Sequence, residues 1–181
     1  MGTEEFIIDN LLTIDAFDLS VLMVQNSSRF QRDFPQTLAQ NLTTQASTEY
    51  IRRKQKENAS RTEFTWAIRD NETNHVAGLI ILKELDWEKG SGEFAYCIGK
   101  TFEGRGWISK TVQELTMYAF NELGLATLQI IAHETNTASI KVAEKCGYRW
   151  QKKLLKSHTP PDGIALDMQL YERYTSFNEY H

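Results

Sequence analysis

Residues 96–108 read Tyr96-Cys97-Ile98-Gly99-Lys100-Thr101-Phe102-Glu103-Gly104-Arg105-Gly106-Trp107-Ile108. An alternating stretch ends at Ile98, a loop with glycines at two-residue spacing follows, and a helical pattern begins at once. Glycine lets a backbone approach an anion closely and adopt φ > 0. A helix start supplies N–H groups without intrahelical partners at the positive end of its dipole. Such a segment can cradle a phosphate or pyrophosphate, and Arg105 can add a charge-assisted contact. A tight turn carrying a solvated arginine is the alternative for the same residues. The Gly-x-Gly-x-x-Gly of a dinucleotide fold is incomplete, because Ser109 stands at the third glycine. Nor does Gly-Lys-Ser/Thr follow, as a P-loop would require.

A second stretch, Asn136-Thr137-Ala138-Ser139, precedes Val142-Ala143-Glu144-Lys145-Cys146-Gly147-Tyr148. Asn136 has the chemistry of a helix N-cap. Ser139 falls one turn inside that helix, where a hydroxyl adds little stability. It is either a functional hydroxyl or a packed one. Three more groups can titrate or hydrogen-bond near strand ends: Glu93, His133 and Asp167. Of these, only the histidine ordinarily titrates near neutrality.

These residues need elements to carry them. The patterns predict a strand at 11–13, a helix at 18–29 capped by Asp18 or Ser20, and a helix at 44–59. The outer face of that second helix would carry Arg52, Arg53, Lys54 and Lys56. The period then changes from 3.6 to 2, giving strands at 64–68 and 76–82 joined by a turn at 70–74, and a third at 92–98. A helix over 107–123, ended by Gly124, is followed by a strand at 127–132 and a helix at 137–146. Strands at 148–155 and 164–170 flank a loop at 157–163 that holds Pro160-Pro161. The expected fold is α/β (α+β): a single mixed, mostly antiparallel sheet with helices on both faces, forming one domain over 1–181 with its core at about 8–174.

Composition narrows the function classes. A chain of 181 residues with 41% hydrophobic and 24% charged residues reads as a globular protein rather than a disordered or membrane one. A net charge of -4 argues against nucleic acid as the main partner. The opening MGTEEFIIDN shows no basic stretch followed by an apolar one, and Gly2 lacks a hydroxyl residue at position 6, so neither a secretory signal nor acylation is read. The cytoplasm is the expected address. Cys97 and Cys146 are in no metal spacing, no metal site is expected, and both read as buried thiols. Dimerisation through an exposed strand or the second helix is left open.

Taken together, the two stretches resemble the GCN5-related N-acetyltransferase superfamily, and within it the branch of the ribosomal-protein N-terminal acetyltransferases. The superfamily's Gln/Arg-x-x-Gly-x-Gly/Ala motif is matched by Thr101-Phe102-Glu103-Gly104-Arg105-Gly106, with threonine at the first position. Phe94-Ala95-Tyr96-Cys97-Ile98-Gly99, Asn136-x-x-Ser139 and Glu144-Lys145-x-Gly147-Tyr148 also fit the branch. The resemblance implies acetyl-CoA lying in a V between two splayed strands. Backbone groups of Cys97 and Ile98 would pair with the pantetheine. Amides of Phe102, Glu103, Gly104, Arg105, Gly106, Trp107 and Ile108 would hold the pyrophosphate, and Asn136 would bind the pantetheine from the other side.

Acetyl transfer to an amine requires a deprotonated nucleophile, a stabilised oxyanion and a proton for the leaving thiolate. The tyrosine that many members use for the last task is missing, since Ala143 occupies its position. The branch offers Ser139 instead. Glu93 is the best carboxylate for the base, with His133 the alternative, and Asp167 either orients substrate or bonds within the sheet. The acceptor is expected to be a protein N-terminal amine or a small-molecule amine (polyamine, amino sugar or antibiotic). Gln25-Asn26-Ser27-Ser28-Arg29-Phe30 and Phe34-Pro35 would wall its pocket. Two other readings stand beside this one: a non-catalytic acyl-CoA sensor, and a nucleotide-binding module using the Gly104/Gly106 loop alone. Gly104→Asp, which sets bulk and negative charge against the pyrophosphate, should abolish CoA binding measured by calorimetry while leaving the fold largely intact. Unchanged affinity in that variant would mean that the loop is misassigned.

Overall fold

The structure, a computed structural model, describes residues 5–176; Gly2 and the outer ends of the expected 1–181 domain lie outside the described residues. The chain begins with β1 (Phe6–Asn10) and a 3-10 turn (Thr13–Asp15). Four helices follow: α1 (Ala16–Gln25), α2 (Ser27–Asp33), α3 (Pro35–Ala39) and α4 (Thr44–Ser60). After them come β2 (Phe64–Asp70), β3 (Val76–Asp86), β4 (Ser91–Ile98), a second 3-10 turn (Lys100–Phe102) and α5 (Trp107–Asn121). The chain ends in β5 (Thr127–Ala132), α6 (Thr137–Lys145), β6 (Arg149–His158) and β7 (Leu166–Tyr174). The seven strands hydrogen-bond in the order β1-β2-β3-β4-β5-β7-β6. β1 with β2, β5 with β7 and β6 with β7 run antiparallel, and β4 with β5 runs parallel. This is the mixed, mostly antiparallel sheet the patterns call for.

The chain gathers into two compact units: one holds everything up to Ile81 together with Tyr96–Trp107, the other Leu82–Ala95 and the chain from Ile108 onward. In the first unit Leu11, Leu19, Leu22, Met23, Phe30, Tyr50, Ile51, Leu79 and Cys97 form a buried cluster. The first strand lies at Phe6–Asn10 rather than at 11–13, where β1 pairs with β2 from Phe6↔Asp70 to Asn10↔Trp66. Leu11 instead drops its side chain into the core. Neither Asp18 nor Ser20 is the cap of α1: Asp15 is. Asp18 binds His75 Nδ1 at 2.7 Å, and the Ser20 hydroxyl donates to the Phe17 carbonyl.

The single helix expected at 18–29 is two, broken at Asn26. There the side-chain Nδ2 donates to the Leu22 carbonyl at 2.8 Å, taking an acceptor that the helical ladder uses, and φ moves to -111°. Pro35 opens α3, a position where its missing N–H costs nothing. α4 lies as expected, with the Thr43 hydroxyl accepting from the Ala46 amide and Arg61 at φ 58° ending it. Lys54 is not on its outer face; its side chain is 12% exposed and pairs with Glu57 and Glu63.

In the second unit the alternation of β5 is fully expressed, with Leu128, Ile130 and Ala132 buried. α5 buries Val112, Leu115 and Ala119, positions at helical spacing, and ends before Gly124 at φ 71°. Thr116 Oγ1 and the buried Tyr148 hydroxyl meet at 2.7 Å, satisfying both groups. β6 runs to His158, three residues beyond its expected end.

The most buried charges lie in the first unit. Arg69 Nη1 and Nη2 donate to Asp15 Oδ1 and Oδ2 at 2.8 and 3.0 Å, and the two side chains are 5% and 6% exposed. Asp15 Oδ2 also accepts the Leu12 amide at 2.8 Å. Burial pushes the Asp15 carboxyl up, but the Arg69 and Leu12 hydrogen bonds outweigh it and hold it below the usual carboxylate range. Asp15→Ala should therefore cost about 3 kcal/mol, because the buried Arg69 guanidinium loses its two-pronged partner and keeps the Asp9 carboxylate at 3.6 Å and the Asn74 carbonyl. In the wild type this contribution is complete above about pH 4 and is lost as pH falls through the depressed value. Urea unfolding between pH 7 and pH 3 checks both, with the acid-dependent loss smaller in the variant.

Candidate functional site

The glycine loop is built from β4, the second 3-10 turn and the start of α5. Gly104 and Gly106 hold φ of 74° and 77°, and a Cβ built on either would meet nothing within 4 Å. Their conformation requires glycine, and the space before them is open. Residues 103–106 are exposed, and Trp107 turns inward as the first residue of α5. The first turn of α5 carries no acidic side chain of its own, so its free amides present the positive end of the helix toward the loop. A pyrophosphate fits a loop of this kind.

Aromatic stacking fixes where that helix starts. Trp107 stacks on Phe6 at 5.1 Å and on Phe102 at 5.2 Å, and its Nε1 donates to Glu5 at 3.0 Å. The Arg105 guanidinium lies over both Phe102 and Trp107, at 5.5 and 5.4 Å from the ring centres, and donates to the Thr101 carbonyl. Arg105 is therefore held in place rather than simply solvated.

Asn26 and Arg29 anchor the start of the loop. Asn26 Oδ1 accepts the Lys100 amide at 2.9 Å and Arg29 Nη1 at 3.0 Å. Arg29 Nη2 donates to the carbonyl of Ile98 at 3.3 Å and forms an ion pair with Glu103. The sequence places these two residues in an acceptor-pocket wall, and their hold on the loop is not visible there. Chain separations of 69 to 74 positions leave no local signal.

β4 and β5 pair from Ser91↔Thr127 to Phe94↔Ile130, whereas β4 itself runs on to Ile98. Along that extension a Cβ at Gly78 would overlap the Cys97 carbonyl oxygen and sit 3.2 Å from Ile98 Cα, so β3 needs glycine there. The Cys97 thiol is pushed up to about 12 by burial, which makes it an inert core group. Cys146 is also buried, its thiol donating to the Ser109 carbonyl.

In the second unit Glu93 is the notable carboxylate. Its side chain is only 14% exposed, and burial raises its pKa despite the Lys83 ammonium 3.7 Å away. Asn136 caps α6: its Oδ1 accepts the Ser139 amide at 3.2 Å. Ser139 is half-buried, and Ala143 lies fully buried on the same helix. His133 Nδ1 accepts the Thr135 amide at 3.2 Å and bonds the Thr135 hydroxyl at 2.7 Å, which commits that nitrogen to the local turn. Asp167 Oδ1 accepts the Lys156 amide at 2.8 Å, where φ of Lys156 is 49°, and so acts within the sheet. Among the described residues no group of three His, Cys, Asp or Glu side chains could hold a metal ion. Nor, among the described residues, is any helix long and apolar enough to cross a membrane.

The acetyltransferase (GNAT) domain family matches residues 10–149, and the chain belongs to that family. It is 29% identical over 100 residues to an uncharacterized N-acetyltransferase, p20, of Bacillus licheniformis; the match covers 55% of this chain and 56% of the relative, little more than half its length. The ribosomal-protein-S5-alanine acetyltransferase of Vibrio fischeri shares the fold at 14% identity, with a TM-score of 0.89 over 97% of this chain and 96% of that one. The microcin C7 self-immunity acetyltransferase, solved with acetyl-CoA and AMP, shares it at 19% identity, with a TM-score of 0.85 over 96% and 94%.

Gly78→Ala tests the geometry of the β4 extension. The added methyl must displace the backbone at Cys97 and Ile98, at a cost of about 1–3 kcal/mol. Chemical denaturation should register that loss, and CoA affinity should fall with it.

Proposed function

We propose that the protein transfers acetyl from acetyl-CoA to a primary amine, with the N-terminal amine of a ribosomal or other protein as acceptor. The observation that carries the donor half is the exposed loop in which Gly104 and Gly106, both at positive φ and facing open space, lead directly into α5. Family membership supports the same reaction class. The acceptor half rests on likeness to enzymes such as the Vibrio fischeri protein, named for acetylating an alanine of a ribosomal protein. The proposal carries with it one acetyltransferase domain over 1–181 and a cytoplasmic address.

Acetyl-CoA supplies an activated thioester, and the chain supplies the rest. The amides of Gly104 to Ile108 bind its phosphates, those of Phe102 and Glu103 being spent on the Gly99 and Lys100 carbonyls, and the end of β4 at Cys97 and Ile98 pairs with the extended arm. Asn136, through the amide half of its side chain, holds the arm as well, since its oxygen caps α6. Glu93, directly or through a water, takes the proton from the attacking amine. Its burial suits it to that work, because a carboxylate with a raised pKa is a stronger base than a solvated one. Ser139 donates a hydrogen bond to the departing thiolate, which takes its proton from water, in the place a tyrosine at position 143 would fill in other members.

Thiol release from acetyl-CoA across a panel of peptides and polyamines tests the reaction. Turnover with peptide N-termini is expected. Turnover with polyamines alone would move the acceptor to small molecules, and silence across the panel would leave an acyl-CoA sensor. Ser139→Ala should lower kcat more than it raises KM, and equal activity would remove Ser139 from the mechanism. For Glu93 the base must be ionised, so kcat/KM rises with pH on an acid limb above the ordinary glutamate value of about 4.3. Glu93→Gln should abolish that limb, and its persistence would assign the base elsewhere.

A further inference from the structure

Glu103 is out of place beside a phosphate-binding loop. It is an exposed carboxylate on the residue before Gly104, and the first turn of α5 otherwise carries no acid. Coulomb repulsion from such a group would weaken binding of any anion held by the neighbouring amides. The structure pairs it with Arg29, whose guanidinium also reaches the Ile98 carbonyl and Asn26 Oδ1. One side chain thus meets both the last residue of β4 and the last residue before the glycines.

We infer that Arg29, with Asn26, is a positioning residue that neutralises Glu103 and thereby keeps the Gly104–Gly106 loop receptive to an anion. This rests on reading that loop as the cradle of the CoA pyrophosphate. Asn26 supplies the fixed end: buried, bonded to the Leu22 carbonyl on α1, it presents Oδ1 to Arg29 and to the Lys100 amide together. Gly104 and Gly106 have no side chains to brace them, so the direction of their amides depends on what is fixed just upstream. The Arg29 and Glu103 side chains are 35% and 46% exposed, so water screens the pair and the effect is one of several-fold in affinity.

CoA binding by calorimetry on a charge cycle decides the matter. Arg29→Gln should weaken CoA binding roughly fivefold, and adding Glu103→Gln to it should restore most of that loss. Glu103→Gln alone, at an exposed position that the fold tolerates, should bind CoA at least as tightly as the wild type. Thermal melts monitor folding, and Arg29→Lys, which keeps the charge, should stay within about twofold of the wild type. If Arg29→Gln binds like the wild type, or if the double variant is as weak as the single, charge neutralisation is overturned. Weaker binding by Glu103→Gln alone overturns it too, even should Arg29→Gln fail to fold. A wild-type chain that takes up no CoA overturns the reading of the loop itself, and this role with it.

Discussion

The buried Asp15–Arg69 pair is the interaction on which the first unit turns. Arg69 sits in the middle of the sheet's first three strands, and its two-pronged contact with Asp15 fixes the residue from which α1 starts. α1 in turn carries Asn26 at its far end, and Asn26 and the following turn hold the start of the glycine loop. A buried pair of this kind is weak evidence of net stability, because both charges lose their water. Its value is directional: bidentate geometry admits one orientation of the helix start, and everything downstream inherits it.

What that chain of contacts delivers is a loop that is firm up to Glu103 and bare after it. Stacking of Phe6, Phe102 and Trp107 closes the other side, so α5 starts at a defined place. A Cβ on either of the two glycines between would meet nothing within 4 Å. Gly124 and Gly163 are equally open, so what sets this loop apart is that Gly106 leads straight into α5.

The second unit shows a different economy. Glu93 lies on the opposite face of β4 from the buried Phe94, and its 14% exposed side chain is shielded without being enclosed. α6 is short, and its first turn carries two hydroxyls, the exposed Thr137 and the half-buried Ser139. His133 Nδ1 is tied to Thr135 in the turn before α6.

Much of this was legible in the residues alone. The places of β2, β4 and β7, the alternation of β5, the 3.6-residue period of α5 and the Thr44 start of α4 follow from local pattern, whereas β2 is buried on both faces and β7 buries Gln169, Leu170 and Tyr171 in succession. The glycine loop and Asn136 were recognisable for the same reason: their chemistry lies in adjacent positions. Tertiary structure alone decided that Asn26 breaks a helix, that Lys54 is inward and paired, that Arg69 reaches Asp15, and that Arg29 reaches Glu103. Each of these is a polar side chain whose partner is chosen by the fold. Spacing along a chain encodes which face a residue occupies, but a charge or an amide can satisfy itself equally well in water, and only packing says where water has been removed.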